Sequence, residues 1–192
     1  FEHRRMAAHP ALADSIEHYW YVRWERDGLP THTAQTLPHP CVHWTFEAEQ
    51  GEGCIGGVHT HLWQRELGVR GEVLGIKFRP AGFRPWFGQA MHLLRDRVLP
   101  AAEVLGPLAQ RVADAQRSGT PLERAASLDA VLLAHRPDIP DSVREVNALV
   151  ARLADDRGLL RVDALAQASE ATLRAFQRRL RDHVGVGPKW II

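Results

Sequence analysis

"CVHWTFE", residues 41–47, puts Val42, Trp44 and Phe46 on one side of an extended chain and Cys41, His43 and Thr45 on the other. Alternation of this kind is the period of a half-buried β-strand, since successive side chains of a strand point to opposite faces. Two neighbouring stretches read the same way. Residues 16–24 are aromatic and β-branched ("IEHYWYVRW"), and "GEVLGIKFRP" (71–80) carries Val73, Ile76 and Phe78. Turn signals separate the runs: "DG" at 27–28, "LPHP" at 37–40, "QGEG" at 50–53 and "RPAG" at 79–82. Short strands at such intervals predict an antiparallel β barrel or sandwich. "FRPWFG" (83–88) is compatible with a short helix or a turn.

Near residue 98 the period changes. "LPAAEVLGPLAQRVADAQ" repeats apolar residues at helical spacing through Val104, Leu105, Leu108 and Val112. "TPLERAASLDAVLLAH" begins with Thr120 as N-cap, Pro121 at the first helical position and Glu123 to close a capping box. The two predict a helical hairpin. "RPDIPD" (136–141) then interrupts with two prolines and reads as a boundary between residues 1–135 and residues 136–192. Three helical segments follow, at 142–155, 162–168 and 173–183. The last carries Leu173, Phe176 and Leu180 as its apolar stripe, Thr172 as cap and Gly185 as stop. The expected class is α+β, with a β-rich front part and an all-α end.

Composition excludes little. Length allows one domain or two small ones, and a formal charge of +1 argues for no partner. Two cysteines make no disulfide framework. No apolar run reaches the roughly 18 residues that a membrane span needs, and the chain shows no signal-peptide pattern. A cytoplasmic protein without a membrane partner is expected. The charge is placed, however. From Ala171 to Ile192 five basic residues stand against one acidic, and four arginines fall within residues 174–181. With Phe176 and Leu180 inward, a turn of about 100° per residue sends Arg174, Gln177, Arg178 and Arg181 outward. Arg and Gln are the types that pair with base edges in the major groove and also grip phosphate. A short helix, a turn and a basic helix form a helix-turn-helix pattern.

Residues 142–192 resemble the first helix-turn-helix unit of AraC-type transcriptional regulators. The likeness rests on "LAQA" at 165–168, on Thr172, Arg174, Phe176, Gln177, Arg178 and Leu180, and on Gly185 and "GPKW" at 187–190. Glu170 stands where the family usually has a turn glycine, and the match ends at "KWII", before the family's second unit. A truncated chain is therefore expected. The resemblance implies a sequence-specific regulator of transcription that binds double-stranded DNA in the major groove. Arg174 and Gln177 would face bases, Arg178 and Arg181 phosphates, and Thr172 would cap the helix and touch a phosphate. Arg178 is also a candidate for an ion pair with Glu145 or Asp155. Leu165, Phe176, Leu180 and Val184 should be core, and Trp190 packing.

The front part looks like the domain that precedes this unit in a subgroup of the family, through "YWYVRW", "LPHPCVHWTFE", "GIKFRPAGF" and "RDRVLPAAEVLG". That implies a small-molecule effector or a homodimer. Trp44, Trp63, Phe78, Trp86 and Phe87 are the candidate effector-lining residues. The alternatives are an interaction module without ligand and a metal-dependent, cupin-like enzyme. For the latter, "GVHTHLW" would set His59 and His61 on one face of a strand, beside Cys41 and His43, as a set of four metal ligands, with Glu47, Glu49 or Glu52 as acid or base. No cofactor is otherwise called for, and "GCIGG" (53–57) has the wrong spacing for a phosphate loop.

Overall fold

The computed structural model describes residues 1–47, 51–155 and 172–191. Among the described residues eight strands form in the front part: β1 (Glu2–Met6), β2 (Ile16–Glu25), β3 (His32–Thr36), β4 (His43–Glu47), β5 (Cys54–Gly56), β6 (Trp63–Leu67), β7 (Arg70–Phe78) and β8 (Val98–Pro100). Six make one antiparallel sheet in the order β1-β2-β7-β4-β5-β8, and β3 pairs with β6 as a separate two-stranded ribbon. The sheet ends at β1 and β8, so it is open and the expected barrel does not close. The exposed edge strand β1 carries His3, Arg4 and Arg5, a charged edge of the kind that discourages pairing with another chain.

Register assigns the sheet two unlike faces. Tyr19, Ile76, Trp44, Ile55 and Leu99 lie in one row, and Tyr21, Leu74 and Phe46 in the next. This face is the main core, with Trp44, Leu74 and Ile76 fully buried. Helices cover it: α1 (Arg84–Phe87), α2 (Ala101–Leu105), α3 (Pro107–Ala115) and α4 (Pro121–Ala134). Ala109, Val112, Leu128 and Leu132 supply the contact, so the predicted hairpin is present. Its capping box at Thr120 and Glu123 is formed. Tyr19 reaches through the layer and donates its hydroxyl to Asp129 at 2.8 Å. Arg124 binds Glu72 and Gln116 at 2.9 and 2.6 Å. These bonds satisfy polar groups that burial would otherwise strand.

Two expectations at residues 98–108 are corrected. Val98–Pro100 is a strand paired with β5, not the start of a helix, and Gly106, at φ 56°, divides the following helix in two. "FRPWFG" resolves as a one-turn helix.

Among the described residues the C-terminal helices are α5 (Asp141–Asp155), α6 (Leu173–His183) and α7 (Pro188–Ile191). Val143, Val146, Val150 and Leu153 of α5 meet Phe176 and Leu180 of α6 and Val184 and Val186 beyond it. Val58 and Ala81 of the front part complete this second core. The Asn147 side chain clamps α5 to the front part: it accepts from the Ala81 amide at 2.8 Å and donates to the Asp14 carbonyl at 2.9 Å. The expected helix at 162–168, with Leu165 and the turn at Glu170, lies outside the described residues.

Candidate functional site

Two features carry chemistry: the outer face of α6 and a cavity on the second face of the sheet. Thr172 caps α6 by accepting from the Ala175 amide at 3.3 Å. Gly185, at φ 100°, ends the turn, its amide bonded to the Leu180 and Arg181 carbonyls. This positive φ suits glycine, which has no Cβ to clash. Phe176, Leu180 and Val184 are buried as expected, whereas Thr172, Arg174, Gln177, Arg178 and Arg181 are all exposed. The ion pair assigned to Arg178 belongs instead to Arg179, which binds Glu145 of α5. One residue is 100° of helix, so Arg179 faces α5 while Arg178 faces away. Trp190 packs on the second core and donates to the Thr60 carbonyl at 3.4 Å.

The cavity measures about 510 Å³ and lies between the sheet's second face and the β3–β6 ribbon. Trp20, Val73, His43, Thr45, Glu47, Cys54 and Gly56 line it from the sheet, Thr36, Trp63 and Arg65 from the ribbon. Leu37, Pro38 and His39 line it from the segment after β3, and His59 from the loop after β5. The space exists because β7 presents glycine here. A Cβ on Gly75 would stand 2.1 Å from Cε2 of Trp20, so the indole lies flat across that strand. Its Nε1 then donates to Nδ1 of His43 at 3.2 Å.

That bond sets the histidine's state. Indole N–H only donates, so Nδ1 of His43 carries no proton. The remaining proton sits on Nε2, 3.4 Å from Sγ of Cys41. Burial lowers the His43 pKa to about 4 and pushes the Cys41 thiol up to about 12. The pair is arranged as a neutral imidazole donating to a thiol, the reverse of what a base-activated nucleophile requires. On the ribbon side Arg65 and Glu47 form a two-pronged ion pair. The hydrogen bond to Glu47 raises the already high Arg65 pKa.

Of the five aromatics expected to line an effector site, Trp63 alone does so. Trp44 and Phe78 are on the opposite, core face, and Trp86 and Phe87 pack against that core. The expected effector set did not include the lining residues Trp20, His43, Glu47 and Arg65. The alternation of residues 41–47 had already marked the His43 side as the second face. The metal arrangement is also corrected. Residues 57–62 form a loop, not a strand, so His59 and His61 diverge. His59 lines the cavity with Cys41 and His43, while the His61 side chain is 75% exposed, near Asp96. Among the described residues no group of three or more His, Cys, Asp or Glu is placed to hold a metal ion.

Residues 4–100, from within β1 to the end of β8, match the family described as Domain of unknown function (DUF6597). The chain belongs to that family. No curated protein and no solved structure matches it. Every cavity-lining residue falls inside the DUF6597 span, whereas the α3–α4 hairpin that covers the core face lies beyond it. Within the DUF6597 segment, one loop reaches both the cavity and the C-terminal helices. Val58 is in the second core, His59 lines the cavity, and Thr60 accepts from Trp190. Among the described residues no helix is long and apolar enough to cross a membrane.

Proposed function

We propose that the chain is a sequence-specific DNA-binding regulator of transcription controlled by a small effector in the cavity. The observation that carries this reading is the exposure of Arg174, Gln177, Arg178 and Arg181 along a capped helix whose other side is held in a core. The resemblance of residues 142–192 to AraC-type regulators supports it. Arg174 and Gln177 contact base edges, Arg178 and Arg181 contact phosphates, and Thr172 presents the helix N-terminus to a phosphate. Residues 58–60 tie cavity to helix core, so an occupied cavity has a short route to α6. Association of two copies would set two readers on adjacent half-sites.

Fluorescence anisotropy of the chain on its own upstream DNA, beside a scrambled duplex at two salt concentrations, tests the reading. The upstream duplex should bind more tightly. Arg174→Ala should narrow the gap between the two duplexes, with a loss of roughly 1–3 kcal/mol on the upstream one. Arg181→Ala should weaken both duplexes alike and reduce the salt slope by about one unit. Equal, salt-insensitive binding by all variants would reject a DNA role for α6.

A further inference from the structure

The cavity holds charged groups, yet it offers a ligand almost no charge. Arg65 and Glu47 meet through both guanidinium terminal nitrogens and both carboxylate oxygens, so each is spent on the other. Unpairing either would leave a partly buried charge without compensation. His43 has one ring nitrogen on Trp20 and the other on Cys41. Burial lowers the His59 pKa and so favours its uncharged form. Among the described residues the wall also includes Trp20, Trp63, Leu37, Pro38, Val73 and Val98, with Thr36, His39, Thr45 and Cys54. The Thr45 hydroxyl leans on the Cys54 carbonyl at 3.5 Å and keeps its lone pairs.

We infer that this cavity takes an uncharged, largely apolar molecule, of aromatic character and with one or two hydrogen-bonding groups, and that Glu47 sits there to cancel Arg65. The inference rests on reading the cavity as the effector site and adds the class of effector. The two indoles supply the apolar contact area that aromatic ligands match. Thr45 and His59 supply the few polar points that orient a ligand in a pocket of this size. An anion would meet the Glu47 carboxylate together with the guanidinium. A cation would meet Arg65.

Two fluorescent probes with nearly the same ring system separate the classes: uncharged N-phenyl-naphthylamine and anionic anilinonaphthalene sulfonate. The wild-type chain should bind the uncharged probe at least about tenfold more tightly, because the sulfonate gives up hydration that an Arg65 already paired with Glu47 does not replace. Glu47→Gln should leave the uncharged probe within about twofold and tighten the anionic one about tenfold, since Arg65 is then unopposed. Thr45→Trp and, separately, Cys54→Phe should abolish binding of the uncharged probe while circular dichroism stays that of the wild type. A preference for the sulfonate in the wild-type chain, or no gain in Glu47→Gln, overturns the charge-cancelling role. Unchanged binding in whichever filled variant keeps its fold overturns the location. Neither outcome touches DNA binding, which the anisotropy experiment reads separately. Failure of both probes would remove the effector half of the proposed function and leave the DNA half standing.

Discussion

The same six strands build a sealed core on one face and a lined cavity on the other. Trp44 and Trp20 show the contrast. Each is a tryptophan in mid-strand, one residue row apart, and Trp44 is fully buried under helices while Trp20 lies on a glycine and faces open space. What separates them is what stands opposite. The core face meets the α3–α4 layer, dense with Ala, Val and Leu. The cavity face meets a ribbon that touches it at its margin, through Arg65 and Glu47. Dense packing makes a face stable; a gap held open by glycine, a satisfied histidine and an ion pair makes a face usable.

The largest test of that contrast is Trp44→Ala. Removing a fully buried indole should cost about 3–5 kcal/mol in urea denaturation, while Trp20→Ala should cost less than half of that. Equal losses would mean that the second face is as much a core as the first. Next is Gly75→Val. Valine favours strands, yet its Cβ would collide with Trp20, so a loss of roughly 1–3 kcal/mol is expected, together with loss of the uncharged probe as the indole swings into the cavity. A neutral or stabilising result would show that Trp20 does not depend on that glycine.

The pH dependence sharpens the comparison further. His43 has a folded pKa of about 4 against an ordinary value of 6.5. Below the unfolded value the unfolded chain takes a proton that the folded site refuses, so stability falls as pH drops. From pH 7 to pH 5 the contribution of this residue should decline by about 2 kcal/mol. His59 and His183 are lowered as well, so the readout is the difference in slope between wild type and His43→Gln. Parallel slopes would place His43 in water. The smallest effect is at α6, where Thr172→Ala removes a cap worth about 1 kcal/mol. A chain unchanged in stability would show that the second core, not the cap, starts that helix.

The sequence reading fails where two distant segments meet. Strand positions were legible around Trp44 because alternation is a local property, and the α4 capping box was legible because its residues are three apart. Phe176 and Leu180 gave the inner side of α6 and hence its exposed arginines. Yet the large aromatics were assigned to a pocket, although Trp44 and Phe78 form the core. Alternation marks two faces without saying which one a helical layer will cover. His59 and His61 were paired by strand spacing, but the chain bends there, because Val58 is drawn into the second core and Thr60 is bound by Asp96 at 2.6 Å. Arg178 and Arg179 differ by one residue, and only the position of Glu145 on α5 chooses between them.

What the amino-acid order determined by itself was local: periods, caps, turns and the clustering of positive charge near the end of the chain. These depend on residues within a turn or two of one another. The tertiary structure decided everything that needs two distant segments to meet. It paired Arg65 with Glu47, laid Trp20 across Gly75, fixed the tautomer of His43 and placed Val58 among the C-terminal helices. Such contacts carry no local signature, because either partner could sit in its own segment equally well without the other.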